Sequence, residues 1–235
     1  MQGRAHVCRL EPVALASANE WLRHYESFWN NLLDALELEL RRDSPANEDL
    51  PFFKEQAMTK TSLGTLIEPG TLRMERTLPA PIERVWAYFV EPDKRAAWLA
   101  GGTMAHEIGG VFELRFDHTR LSGEVAPDRF SACRSPISQT SRVIQIEPLK
   151  RLTISWGSES PNASEVSFEF TPEGDSTRLV LTYRRLPDRK ETLSVASGWH
   201  AHLDVLDDVL HQRKPRGFWT RHAELEKAYE AQLPA

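Results

Sequence analysis

GWHAHLDVLDDVL, Gly198 to Leu210, is the stretch on which the reading of the fold turns. At helical spacing Trp199, Leu203, Leu206 and Leu210 fall on one stripe, with His202 at its edge. His200, Asp204 and Asp208 point away from that stripe. The pattern predicts a long helix over about 191–212, and a helix this amphipathic needs an apolar surface to cover.

The residues before it supply one. After Gly70 the hydrophobic period becomes two: TLRMERTL, Thr71 to Leu78, sets Leu72, Met74 and Leu78 opposite Arg73, Glu75 and Thr77. Pro79 and Pro81 end that strand, and Ile82 to Phe89 reads as a helix with Val85, Trp86 and Phe89 on one side. EPDKRAAWL gives a second short helix bearing Trp98. Gly101-Gly102 and Gly109-Gly110 bracket a further predicted strand, and VFELRF alternates Val111, Glu113 and Arg115 against Phe112, Leu114 and Phe116. Asp117 to Ser141 is polar with little periodicity. SRVIQIEP, RLTISWG and SEVSFEF are predicted strands, TPEGDST a hairpin turn with Gly174 free to take a positive φ, and RLVLTYRRL the closing strand. Trp219, Leu225 and Tyr229 mark a final short helix. The order predicts an α+β fold in which one antiparallel sheet wraps a long C-terminal helix.

The N-terminal region follows another pattern. Arg4 to Leu10 suits a short strand, and from Trp21 onward Tyr25, Phe28, Trp29, Leu32, Leu36 and Leu40 form a broad arc at helical spacing. So wide an aromatic face requires a partner, and Trp21, Tyr25, Phe28 and Leu32 are the expected contacts of a homodimer. RRDSPANEDLP ends this helix, giving a division into 1–42, a linker 43–69 and a domain 70–231. PFFKEQAM within the linker suits a short docked helix.

Composition excludes several functions. Of 235 residues, 40% are hydrophobic and 27% charged, and VWAYFV, the longest compact apolar run, is far too short to span a bilayer. MQGRAHVCRLEP has no apolar core of signal-peptide length, so a cytoplasmic protein with no membrane partner is expected. Cys8 and Cys133 have neither CxxC nor His spacing around them, which argues against a disulfide or thiolate site. Residues 1–50 carry net charge −4 and the rest −1, so no basic patch suggests nucleic acid. His200 and His202 are two apart, whereas a helix that binds zinc uses an i, i+4 pair. Neither a metal nor a cofactor is expected. No G-x-S-x-G elbow, P-loop or GxGxxG occurs, and no catalytic residues are assigned.

The motifs RTLPAPIERVWAYFVEPDKRAAWL, GGVFELRF, RVIQIEPLKRLTISW, SEVSFEFTPEGDSTRLVLTYRRL, GWHAHLDVLDDVL and FWTRHAELEKAYE, taken in order, resemble the SRPBCC superfamily. That superfamily has the START or Bet v-like helix-grip fold, and the likeness is to its bacterial AHSA-type branch, named after the activator of heat-shock protein 90 ATPase. QGRAHVCRLEP and WLRHYESFWNNLLDALELEL resemble the second wing strand and the dimerisation helix of an ArsR-type winged-helix repressor. The recognition helix of such a repressor would lie upstream of Met1, so DNA is a partner only if a helix-turn-helix lies there.

The helix-grip resemblance implies a small hydrophobic ligand held between sheet and C-terminal helix without chemical conversion. Trp86, Phe89, Trp98, Phe112, Phe116 and Trp156 would line that site from the sheet side and its short helices. Phe168, Trp199, Leu203 and Leu206 would complete it, although for any single residue of the set ordinary core packing is the favoured reading, because aromatics dominate cores. His202 is the polar candidate, as a hydrogen-bond partner of the ligand or a proton donor, with a satisfied boundary histidine as the favoured reading. The alternatives are a ligand-responsive ArsR-family regulator, a cyclase- or aromatase-like enzyme acting by positioning, and a co-chaperone-like partner protein.

Overall fold

The computed structural model describes residues 62–157, 160 and 162–233. The predicted wing strand, the helix carrying Trp21, Tyr25, Phe28 and Leu32, and the short helix over PFFKEQAM lie outside the described residues.

Among the described residues the chain runs β1 (Thr65–Glu68), β2 (Thr71–Leu78), α1 (Ile82–Val90), α2 (Pro92–Ala96), β3 (Val111–Phe116) and β4 (Ile137–Glu147). It continues through β5 (Arg151–Trp156), β6 (Ser164–Glu173), β7 (Ser176–Arg184), α3 (Arg189–Leu210) and α4 (Phe218–Gln232). The strands form one antiparallel sheet in the order β1-β2-β7-β6-β5-β4-β3. Alternation explains its inner face: Leu72 and Met74 of β2, Phe168 and Phe170 of β6, and Leu179 and Leu181 of β7 are buried. A register shift in β4 between Val143 and Gln145 bends the sheet, and Gly174 turns β6 into β7 at φ +63°. α3 packs across the hollow, capped by Asp188, whose carboxylate accepts the Glu191 N–H at 2.8 Å. This is the helix-grip arrangement that the switch in periodicity predicted.

Three details depart from the sequence reading. β1 lies inside the predicted linker: four residues, TLIE, pair with β2 as an edge strand too short to show a period. The predicted strand between the two glycine pairs is absent as a strand. Two isolated bridges, Gly101 to Arg115 and Met104 to Phe112, stand there instead. Gly102 at φ +101° redirects the backbone, and a Cβ on it would lie 2.6 Å from the Glu113 carbonyl oxygen. β4 starts at Ile137, inside the polar stretch, because an exposed edge region keeps its hydrogen bonds to β3 without needing apolar alternation.

The rest of that stretch forms a strap. Residues 118–120 and 128–134 make 3₁₀ turns that lie against α4. Glu124 accepts the backbone N–H of Trp219 (2.8 Å) and Thr220 (3.1 Å), capping the first turn of α4 from a distant part of the chain. Arg129 pairs with Glu226, and Ser122 Oγ accepts the Phe218 N–H at 3.0 Å.

Candidate ligand site between sheet and helix

The rings converge on the hollow of the sheet. Phe89 of α1 lies 4.9 Å from Trp98 and 5.0 Å from Phe168, which in turn meets Trp199 of α3 at 5.4 Å. Trp156 at the end of β5 is 4.9 Å from Trp199 and 6.1 Å from Phe116. Leu203 and Leu206 are buried in the same core. Trp86 stands at the margin, edge-on to Phe170, and Phe112 is set apart under the Arg95 guanidinium, 4.5 Å from the ring centre. Phe116 and Trp156 are half-buried while Phe89, Trp98, Phe168 and Trp199 are buried, so the set has a deep end and an accessible end.

His202 belongs to the accessible end, 6.5 Å from Phe116. Its Nδ1 lies 2.7 Å from the Trp98 carbonyl oxygen. A carbonyl only accepts, so Nδ1 carries the proton and Nε2 keeps its lone pair. Burial, reinforced by His118, pushes the His202 pKa down to about 3. His202 is therefore neutral at physiological pH. Its Nδ1 is satisfied by the Trp98 carbonyl and its Nε2 is left as an acceptor.

The strap and α4 add rings that the sequence reading did not assign to the site. His118 lies 5.5 Å from His202, 5.1 Å from Phe218 and 5.2 Å from Trp219. Phe130 stacks on Trp219 at 5.0 Å and meets His222 edge-on at 5.2 Å. Burial lowers the pKa of both His118 and His222. Trp219 Nε1 and His222 Nδ1 are buried and have no hydrogen-bond partner among the described residues. The signal was the FWTRH run, Phe218 to His222, whose small spacing hides that the first turn of α4 faces the strap.

Rings fill this region. Two clefts of about 210 Å³ each lie elsewhere, one lined by Leu66, Leu186, Arg189 and Leu233, the other on the outer face of the sheet around Thr153, Ser167 and Thr182.

Behind α3, the side that the sequence pattern turned away from the sheet is also buried. His200, Asp204 and Asp208 are at most 5% exposed because α4 covers them. Asp204 accepts from Arg221 Nε at 2.7 Å, and Asp208 is held by Arg216 through Nε at 2.7 Å and Nη2 at 2.8 Å. His200 Nδ1 lies 3.0 Å from the Tyr229 hydroxyl, which accepts the Gly64 N–H at 2.8 Å. Burial, with Arg76 as the next cause, pushes His200 down to about 2.

Comparison with known proteins follows the same outline. Residues 79–211 match the family described as Activator of Hsp90 ATPase homolog 1-like protein. The solution structure of the protein encoded by gene BPP1335 of Bordetella parapertussis is 44% identical, with a TM-score of 0.63, covering 73% of this chain and 91% of that one. CalU16 from Micromonospora echinospora is 23% identical with a TM-score of 0.53, covering 72% of this chain and 94% of that one, and it shares the fold. No curated protein matches the chain.

Proposed function

The chain belongs to the Activator of Hsp90 ATPase homolog 1-like family, and from that premise we propose that its domain binds a small hydrophobic molecule between the sheet and α3. The observation that carries this reading is the continuous series of rings from Phe89 through Phe168, Trp199 and Trp156 to Phe116, buried at one end and half-buried at the other. A flat apolar ligand enters at Trp156 and Phe116 by parting rings and strap, and exchanges ring–ring contacts for ring–ligand contacts of the same kind. His202 Nε2, as acceptor, and the unpartnered Trp219 Nε1–H, as donor, orient a polar group on that ligand. His202 held neutral, and His118 lowered by burial, favour binding over acid–base chemistry near neutral pH.

The test uses N-phenyl-1-naphthylamine, an uncharged probe that fluoresces in apolar surroundings. The expected result is saturable one-to-one enhancement that Trp156→Ala weakens by about tenfold, the loss of one stacked ring. Equal enhancement by wild type and variant would overturn the proposal. Between about pH 6 and 8 the affinity should be flat, since His202 stays neutral throughout.

A further inference from the structure

Arg76 is the polar exception on the inner face of β2. It follows Leu72 and Met74 at alternate positions and is 6% exposed. Its Nη1 donates to the carbonyl oxygens of Ser62 (3.0 Å) and Glu75 (2.7 Å). Among the described residues its Nε and Nη2 are buried with no partner, and no carboxylate forms an ion pair with it. Nε and Nη2 form one edge of the guanidinium plane, the two-donor fork that takes both oxygens of a carboxylate. The partnered nitrogen is on the opposite side. The free edge is thus a buried two-donor fork that meets no acceptor among the described residues.

Arg95 shows how this fold satisfies a buried guanidinium that is purely structural. It is 1% exposed and uses all three nitrogens, on the carbonyl oxygens of Phe89, Val90, Ala100 and Gly102. Arg76 has an equally buried position and half of that coordination. A second unpartnered group stands beside it: His200 is fully buried, and its Nε2 has no hydrogen bond, with Asp204 Oδ1 3.6 Å away. Asp204 acts on Arg76 through space but does not bond its fork: its Oδ2 is held by Arg221 at 2.7 Å and its Oδ1 lies 3.6 Å from His200 Nε2. A buried charge without a partner is strongly unfavourable, so the free edge calls for an anion.

We propose that Arg76 is the seat of a carboxylate group, and that the ligand class of this domain is a hydrophobic carboxylic acid. The register carries the geometry. Arg76 pairs with Leu179 of β7, and Leu179 with Phe170 of β6, whose ring is 4.9 Å from Phe89. The apolar body of an acid seated on Arg76 would have Leu179, Phe170 and Phe89 as its nearest inner-face neighbours along this register. His200 Nε2, carrying the proton when Tyr229 donates to Nδ1, is the second donor beside the acid. The inference rests on the ligand-binding reading above and deepens it.

The experiment measures calorimetric affinities of the full chain for octanoate and octanamide, which share a tail and differ in charge. Octanoate should bind wild type about tenfold more tightly than octanamide, as a charge-assisted fork requires. Arg76→Met, close in volume and free of charge, should lose that preference while keeping its affinity for octanamide and for N-phenyl-1-naphthylamine. Arg76→Lys, which keeps the charge and loses the fork, should retain only part of the preference. Should Arg76→Met fail to fold, the wild-type and Arg76→Lys affinities still decide. Equal binding of octanoate and octanamide by wild type would overturn the carboxylate assignment and leave the apolar site standing. Failure of octanoate, octanamide and the naphthylamine alike would overturn both.

Discussion

Lowering the pH from about 7 to 5 should destabilise the domain by about 4 kcal/mol, because His200 and His202 stay neutral in the fold and charge in the unfolded chain. Burial depresses both, His200 to about 2 and His202 to about 3. An unfolded imidazole takes up its proton below about 6.5. The sign follows: a base with a depressed folded pKa contributes stability that is present above 6.5 and is lost as pH falls toward the folded value. Both folded values lie well under 5, so the loss down to pH 5 is set by the unfolded pKa alone, about 2 kcal/mol per histidine. His118 and His222, also depressed by burial, add to the loss. Asp207, raised by burial, works against it by taking its proton earlier in the fold. Urea unfolding followed by tryptophan fluorescence, at matched ionic strength across this range, reads the difference directly. His202→Asn should remove about half of the pH-dependent part contributed by the pair. A loss under about 1 kcal/mol for wild type would refute the claim that both imidazoles are held neutral.

Further outcomes follow from individual contacts. Trp199→Ala leaves a void among Trp156, Phe168 and the α3 stripe and should cost about 3–5 kcal/mol in urea unfolding. Arg95→Met strands the carbonyl oxygens of Phe89, Val90, Ala100 and Gly102 and should cost about 3–5 kcal/mol, whereas Arg76→Met, whose guanidinium is half-satisfied, should be close to neutral in the same assay. Glu124→Ala removes the cap from α4 and frees the strap, for about 1–2 kcal/mol, with amide exchange quickening over Asp117 to Arg134.

Periodicity made the fold legible wherever a segment is apolar on one side. β2, β3, β5, β6, β7 and α3 fall close to where alternation or the Trp199–Leu203–Leu206 stripe put them. It failed where burial is not one-sided. β1 is four residues of an edge strand, and the strap is held by Glu124, Arg129 and Phe130, polar and scattered contacts that leave no period. Phe89, Trp98, Phe116, Trp156, Phe168 and Trp199 adjoin one another, because the helix stripe and the strand alternation both aim them inward, whereas Trp86 stands at the margin and Phe112 under Arg95. The polar half was not legible. His200, Asp204 and Asp208 read only as pointing away from the apolar stripe, and the packing of α4 with Arg216 and Arg221 makes that face interior. Arg76 broke the alternation of its strand, but a single charged residue on an inward face acquires meaning only when the partners of each nitrogen can be counted.

The most direct test of the ligand-binding account is an isotope-filtered NOE spectrum of the labelled protein with unlabelled N-phenyl-1-naphthylamine. The account predicts cross-peaks from the probe to the ring protons of Trp156, Trp199 and Phe116. Cross-peaks confined to Leu66, Leu186 and Leu233, in the cleft of about 210 Å³ beside the start of α3, would contradict it.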